Sequence, residues 1–166
     1  MHIAVLSDTH DNIWTLTRAL PQLRTADIVL HAGDWVAPFI LKRLAEGLAA
    51  PIHGVFGNND GERRGLAALA NQYDHVHLHG DFAFLEFGGY RIAVVHYPEL
   101  AQELARTGSW DLVVYGHNHQ AREVRQGSTL LLNPGELFGG LTGRSSWALV
   151  DTVTQTVHWH EVPWTP

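Results

Sequence analysis

Three runs near the start decide the fold: HIAVLSD at residues 2–8, DIVLHAGD at 27–34 and PIHGVFGN at 51–58. Each is short, almost wholly apolar and rich in Ile, Val and Leu, which suits a buried strand better than a helix. The segments between them carry the spacing of amphipathic helices over 12–24 and 37–48, and a third helix is expected over 62–72. This alternation predicts a parallel sheet joined by right-handed crossovers, its short apolar strands covered by helices on both faces.

Past residue 80 the rhythm changes. FAFLEF (82–87) and YRIAVV (90–95) flank Gly88-Gly89, the mark of a tight antiparallel hairpin. A short helix over 99–106 and the strand DLVVYGH (111–117) follow. Residues 121–135 and 145–162 read as two more hairpins, turning at Gln126-Gly127 and near Thr154-Gln155. The expected architecture is therefore α/β with mixed parallel and antiparallel strands, two packed sheets with helices outside. No repeat, low-complexity stretch or linker interrupts the 166 residues, and at roughly 150 residues per domain a single domain over 1–166 is expected.

Composition narrows the function. A chain that is 45% hydrophobic and 17% charged can build a core, which excludes a disordered or collagen-like class. Eleven basic against 17 acidic residues leave a formal charge of −6, without the surplus that attracts long nucleic acid or anionic lipid. Cysteine is absent, so disulfides, thiolate metal sites and a cysteine nucleophile are excluded, and any metal must use oxygen and nitrogen ligands. No apolar run approaches the ~18 residues of a membrane span, and Ser7-Asp8 cuts the first run too early for a signal-peptide core, so a cytoplasmic address is expected. Twelve histidines are far more than such a chain needs for packing, and their placement becomes the main question.

Five polar clusters stand where an apolar run stops: Ser7-Asp8-Thr9-His10, Gly33-Asp34, Gly57-Asn58-Asn59-Asp60, His96 and Gly116-His117-Asn118-His119. Ligands of α/β sheets bind at the carboxyl ends of the strands, so these clusters are expected to meet. Asp8 and His10 are two apart, and in extended backbone both side chains point the same way and can share one cation; His117 and His119 repeat the spacing. Asp34 can bridge two cations with its two oxygens, Asn58 offers a carbonyl oxygen and His96 a further nitrogen. Seven such donors suit two divalent ions of the Mn, Fe, Zn, Co or Ni kind better than one. Gly33, Gly57 and Gly116 are expected to let the backbone turn sharply. Taken singly, each cluster also reads as a turn or a capping residue. The set of five strand ends carries the metal reading.

In this order the clusters resemble the calcineurin-like metallophosphoesterase superfamily, and the short chain without a cap domain is similar to its small bacterial and archaeal phosphodiesterase branch, from residue 3 to about residue 135. The resemblance implies a two-sheet α/β/β/α sandwich. It implies one ion held by Asp8, His10, Asp34 and His119, a second by Asp34, Asn58, His96 and His117, and hydrolysis of a small phosphodiester or phosphate ester by water activated between them. Asn59 stands where the family commonly has a His that assists the leaving oxygen, with Asp60 able to orient it. These two are the candidate catalytic residues, and Asn59 implies slow turnover of poor leaving groups. Asn118, in place of a common Thr, should point away from the ions.

Other readings are weaker. The retromer coat has a phosphoesterase-like subunit that serves protein interaction on the same fold, but a scaffold has no need of seven converging donors. A nuclease on long DNA is disfavoured by the charge, and neither a Gly-x-Ser-x-Gly elbow nor a Walker A loop is present. An oligomer is compatible with the sequence. His75, His77 and His79 alternate as on the solvated face of a strand, and His158 and His160 read likewise. His31 is either a donor behind the site or a core histidine. The six Trp are expected mostly in the core, Trp35 being placed to edge the pocket and stack on a nucleobase or aryl group. Asn133-Pro134-Gly135 reads as a strand-ending turn, with the charge of Glu136 near the site entrance.

Overall fold

A computed structural model describes residues 1–163 of the chain. The three opening runs form β1 (His2–Leu6), β2 (Ile28–His31) and β3 (Ile52–Gly54), joined by α1 (Ile13–Leu23) and α2 (Pro38–Gly47). Helix α3 (Arg63–Ala70) then leads to β4 (Val76–Leu78). All four strands are parallel, with Ile3 beside Ile28, Val29 beside Ile52 and Ile52 beside Val76. Helix starts follow local chemistry. The Asn12 side chain accepts from the Thr15 N–H and caps α1, while α2 begins on Pro38, whose missing N–H costs nothing in a first turn.

The hairpin residues form β5 (Phe82–Phe87) and β6 (Tyr90–Val95), then α4 (Pro98–Arg106), β7 (Leu112–Val114), β8 (Arg122–Gln126) and β9 (Thr129–Asn133), and finally β10 (Ser145–Asp151) and β11 (Thr156–Val162). The last pair joins the first sheet, whose order is β11-β10-β1-β2-β3-β4, and the second sheet runs β5-β6-β7-β9-β8. All three expected hairpins form, one of them turning on the left-handed Gln155.

Alternation along the strands sorts the core. Ala4, Leu6, Val29, Ile52 and Val76 face the helical layer of Leu16, Leu20, Leu41, Leu44 and Leu66. Ile3, Val5, Ile28 and Leu30 face Ile92, Val94, Leu112 and Leu132 of the second sheet, which α4 covers from outside with Ala101 and Ala105. The result is the expected α/β/β/α sandwich. Helices nevertheless cover only one face of the parallel strands, because an apolar run buried on both faces does not say whether a helix or a sheet lies against it.

Tryptophan placement departs from expectation too. Trp35 and Trp147 are buried, but Trp14 faces solvent from α1, Trp159 is exposed on the edge strand β11, and Trp164 lies outside the described residues. Of the alternating histidines, His77 and His79 are exposed as expected, stacked over the buried His53, whereas His75 turns to the Ala45 carbonyl in the helical layer. His158 is exposed, but His160 lies half-buried with its ring 4.0 Å from that of Trp147.

Candidate metal centre

The loops that leave β1, β2, β3, β6 and β7 at their carboxyl ends are stitched to one another: the N–H of Asp8 donates to the Gly33 carbonyl, that of His10 to Asp34, and that of Gly116 to His96. All seven donors named from the sequence meet there. The donor atoms of Asp8, His10 and His119 lie within 4.8 Å of one another, as do those of Asp8, Asp34 and His96. Asp8 belongs to both groups, and Asp34 Oδ2 reaches toward both, 3.5 Å from His10 Nε2 and 3.5 Å from His96 Nε2. Asn58 Oδ1 completes the second, 2.9 Å from His96 Nε2 and 2.8 Å from His117 Nδ1.

Hydrogen bonds behind the rings fix which nitrogen faces inward. His96 Nδ1 donates to the Ala32 carbonyl at 2.7 Å and His119 Nδ1 to the Glu136 carboxylate at 2.7 Å, so in its neutral form each ring aims an Nε2 lone pair at an acceptor oxygen. For His119 that oxygen is Asp8 Oδ1, 3.5 Å away. His10 Nε2 is buried without a hydrogen-bond partner, 3.8 Å from Asp8 Oδ1. Lone pair facing lone pair across such gaps is unfavourable unless a cation lies between. Donors each about 2.0–2.2 Å from one ion stand roughly 3–3.5 Å apart, so a divalent ion fits these residues. Charge agrees: Asp8 and Asp34 are both buried, and their ion-pair partners among the described residues are histidines.

Local backbone corrects the reason given for the spacing. Asp8, His10, Asp34, His117 and His119 all have left-handed φ, from 42° to 72°, so the two Asp/His-x-His pairs converge through alternating left-handed residues and not through an extended strand. Asn118, between two of them, does point away, to Asn133. Close approach explains two glycines better than turning does. A Cβ at Gly57 would strike the Asp34 carboxylate, and one at Gly116 would strike Ser7 and Asp8.

Several side chains serve otherwise than their sequence position suggests. Asn59 does face the site: its Nδ2 and backbone N–H donate to the two oxygens of Asp34, at 2.7 and 2.8 Å. Asp60 is not free to orient a partner at position 59. It is buried, and its oxygens accept from the N–H groups of Asp34, Val36 and Gly57, binding two loops together. Burial holds its carboxyl above the ordinary range despite those bonds. Trp35 edges no pocket. It is wholly buried, stacked on His31, and donates to the Val55 carbonyl. His31 is the donor behind the site: burial lowers its pKa to about 3, Nδ1 accepts from Gly33 N–H, and Nε2 therefore donates to Thr9.

Glu136 is the largest surprise. Far from standing at the entrance it is fully buried behind His119, its second oxygen accepting from Leu141 N–H, Thr142 N–H and the Thr142 hydroxyl. Burial pushes this carboxyl up, but the bonds from His119 and Thr142 outweigh it and keep the group ionised. The bond to Glu136 in turn raises the His119 pKa against burial. A carboxylate 17 residues from the ring it holds leaves no mark in spacing.

Two clefts border the donors. One, of about 300 Å³, is bounded by His96, Tyr97, Phe56, Phe82 and Arg63. The other, of about 340 Å³, is bounded by His119, Thr142, Arg144 and Trp159. Tyr97, missed in the sequence, packs edge-on against the rings of His96 and His117 at 5.3 and 4.8 Å. An aromatic directly after a strand-end histidine was the available signal.

Comparison with known proteins agrees with this geometry. Residues 1–155 match the calcineurin-like phosphoesterase superfamily domain. A phosphodiesterase of Methanocaldococcus jannaschii is 31% identical over 156 residues, 92% of this chain and 93% of that protein. The solved structure of an archaeal phosphodiesterase superposes with a TM-score of 0.90 at 29% identity, over 98% of this chain and 100% of that one. Vacuolar protein sorting 29 from Cryptosporidium parvum shares the fold, with a TM-score of 0.67 at 16% identity over 98% of each chain.

Proposed function

The chain belongs to the calcineurin-like phosphoesterase superfamily, and from that premise we propose that it is a metal-dependent phosphodiesterase acting on small phosphoesters, with Asp8, His10, Asp34 and His119 holding one divalent ion and Asp34, Asn58, His96 and His117 a second. The observation that carries this reading is the aim of the His10, His96 and His119 Nε2 atoms at two buried carboxylates. An oxygen and nitrogen donor set without sulfur suits ions of the Mn, Fe, Zn, Co or Ni kind. Ions held there would neutralise charge at the phosphoryl oxygens and make water a better nucleophile at neutral pH.

The chain's own residues set the rest. Asp34 offers negative charge to both positions, and Asn59 keeps its two oxygens pointed inward. The Asn59 amide can donate a hydrogen bond to a leaving oxygen but cannot surrender a proton, so good leaving groups are favoured. One cleft beside His96 and another beside His119 give room for both ester arms of a diester. A protein-interaction scaffold would need neither clefts nor converging lone pairs, and the likeness to vacuolar protein sorting 29 is one of fold. Among the described residues no helix is long and apolar enough to cross a membrane. The test is hydrolysis of a bis-aryl phosphate before and after chelation. Activity should vanish with the metal and return with Mn²⁺ or a similar ion, whereas full turnover in metal-free protein would overturn the reading.

A further inference from the structure

The cleft beside His96 has a composition that phosphate chemistry does not require. Its walls carry three aromatic rings, Phe56, Phe82 and Tyr97, and the last two are 51% and 46% exposed, ring surface left open to solvent beside a polar site. A phosphoryl group coordinated by ions has no use for such walls. A flat π-system does, since aromatic side chains stack on any base and discriminate little by its edge.

The rim is polar and held in place. Arg63 lies over the Phe56 ring at 5.1 Å, donates to the carbonyls of Asp60 and Gly57 and bonds Asp81 Oδ1 at 3.0 Å. These bonds use three of its five N–H groups, so donors remain for a ligand beside the acceptor oxygens of Asp81. Because the Gly57 and Asp60 carbonyls flank Asn58 and Asn59, the rim is tied to the loop that carries a candidate metal ligand. Its about 300 Å³ lies at the small end of ligand pockets, room for one ring system and not for a polymer.

We infer that this cleft is the subsite for a nucleobase carried by the substrate, stacked against Tyr97 and Phe82 with its hydrogen-bonding edge at Arg63 and Asp81. The inference rests on the phosphodiesterase reading and narrows its substrate class to nucleoside phosphoesters. A plain aryl ring would use the walls and leave the rim unused, which favours the base.

Calorimetric titration of the Mn²⁺-loaded protein with AMP, ribose 5-phosphate, phenyl phosphate and inorganic phosphate tests this without turnover. AMP should bind tighter than ribose 5-phosphate by roughly five- to a hundredfold, the span of base–aromatic stacking. Phenyl phosphate should fall between them. Phe82→Ala should erode the AMP advantage while inorganic phosphate binds as before; Tyr97→Ala should erode it as well, and Tyr97→Phe should restore it. Because Phe82 is exposed on the edge strand β5, its loss leaves the fold intact. Equal binding of AMP and ribose 5-phosphate would overturn the subsite and leave the phosphoesterase reading standing. Phenyl phosphate binding as tightly as AMP would overturn the nucleobase assignment, and failure of all four to bind would overturn both readings.

Discussion

Replacing Glu136 by glutamine should disable a proposed metal ligand, His119, without touching it. One Glu136 oxygen accepts from Leu141 N–H at 3.1 Å, Thr142 N–H at 2.6 Å and the Thr142 hydroxyl at 2.7 Å, and the other accepts from His119 Nδ1 at 2.7 Å. A glutamine must give its carbonyl oxygen to the three donors, since the opposite orientation sets an NH₂ against them at roughly 1–3 kcal/mol for each donor left unpaired. The amide NH₂ then faces His119 Nδ1 and demands an acceptor there. In a neutral ring the hydrogen moves to Nε2, the atom aimed at Asp8 Oδ1 from 3.5 Å, and that nitrogen loses the lone pair a metal needs. Losing the partner behind a metal-binding histidine costs about 10- to 100-fold in affinity, or roughly 1.4–2.7 kcal/mol. Competition with a chromophoric chelator for Mn²⁺ or Zn²⁺ measures it, with denaturant unfolding of the metal-free protein as control. Glu136→Ala, which leaves all three donors without an acceptor, should destabilise the metal-free protein more than Glu136→Gln. Metal affinity within twofold of the parent in a folded Glu136→Gln protein would refute the tautomer argument.

Asp34→Asn should lower metal content more than His10→Ala, because Asp34 faces both donor groups and its charge offsets repulsion between ions; elemental analysis showing equal losses would count against a shared ligand. In a series of diesters the rate should depend steeply on leaving-group pKa, since Asn59 supplies no proton and a positioned general acid contributes roughly 10²- to 10⁴-fold. Asn59→His should flatten that dependence, though with Asp60 committed to three N–H groups the new imidazole has no carboxylate clamp from that residue. A flat dependence in the parent protein would remove the argument.

What could be read from the sequence and what could not divide along a physical line. Donor types at strand ends, hairpin glycines and helix starts are local signals, and all seven candidate donors and both sheets follow from them. Contacts between distant segments leave no such signal. Glu136 behind His119 and Asp60 binding two loops look in the sequence like any other carboxylate after a turn, and only the fold reveals that each is buried with both oxygens committed. Trp35 misled for the same reason: adjacency to Asp34 places its Cα near the site, but the left-handed φ of Asp34 turns the chain and sends the ring into the core against His31.

That left-handed backbone bears on what the fold is for. Asp8, His10, Asp34, His117 and His119 each sit where an L-residue is disfavoured by roughly 1–2 kcal/mol, so the five together cost on the order of 5–10 kcal/mol, comparable to the whole stability of a domain. Such strain persists only where the surroundings over-determine it, and here they do. Backbone bonds from Asp8, Thr9 and His10 to Gly33 and Asp34, three N–H groups on Asp60, and the Asp8 carboxylate accepting from His117 N–H lock the loops on one another. A docking surface gains nothing from this arrangement, because strained backbone at buried donors presents no extra area to a partner. A metal centre gains directly: donors already in place lose little freedom when ions bind, and carboxylates held close together become favourable only with cations between them. The strain thus supports a metal centre from the backbone as well as from the identity of the side chains.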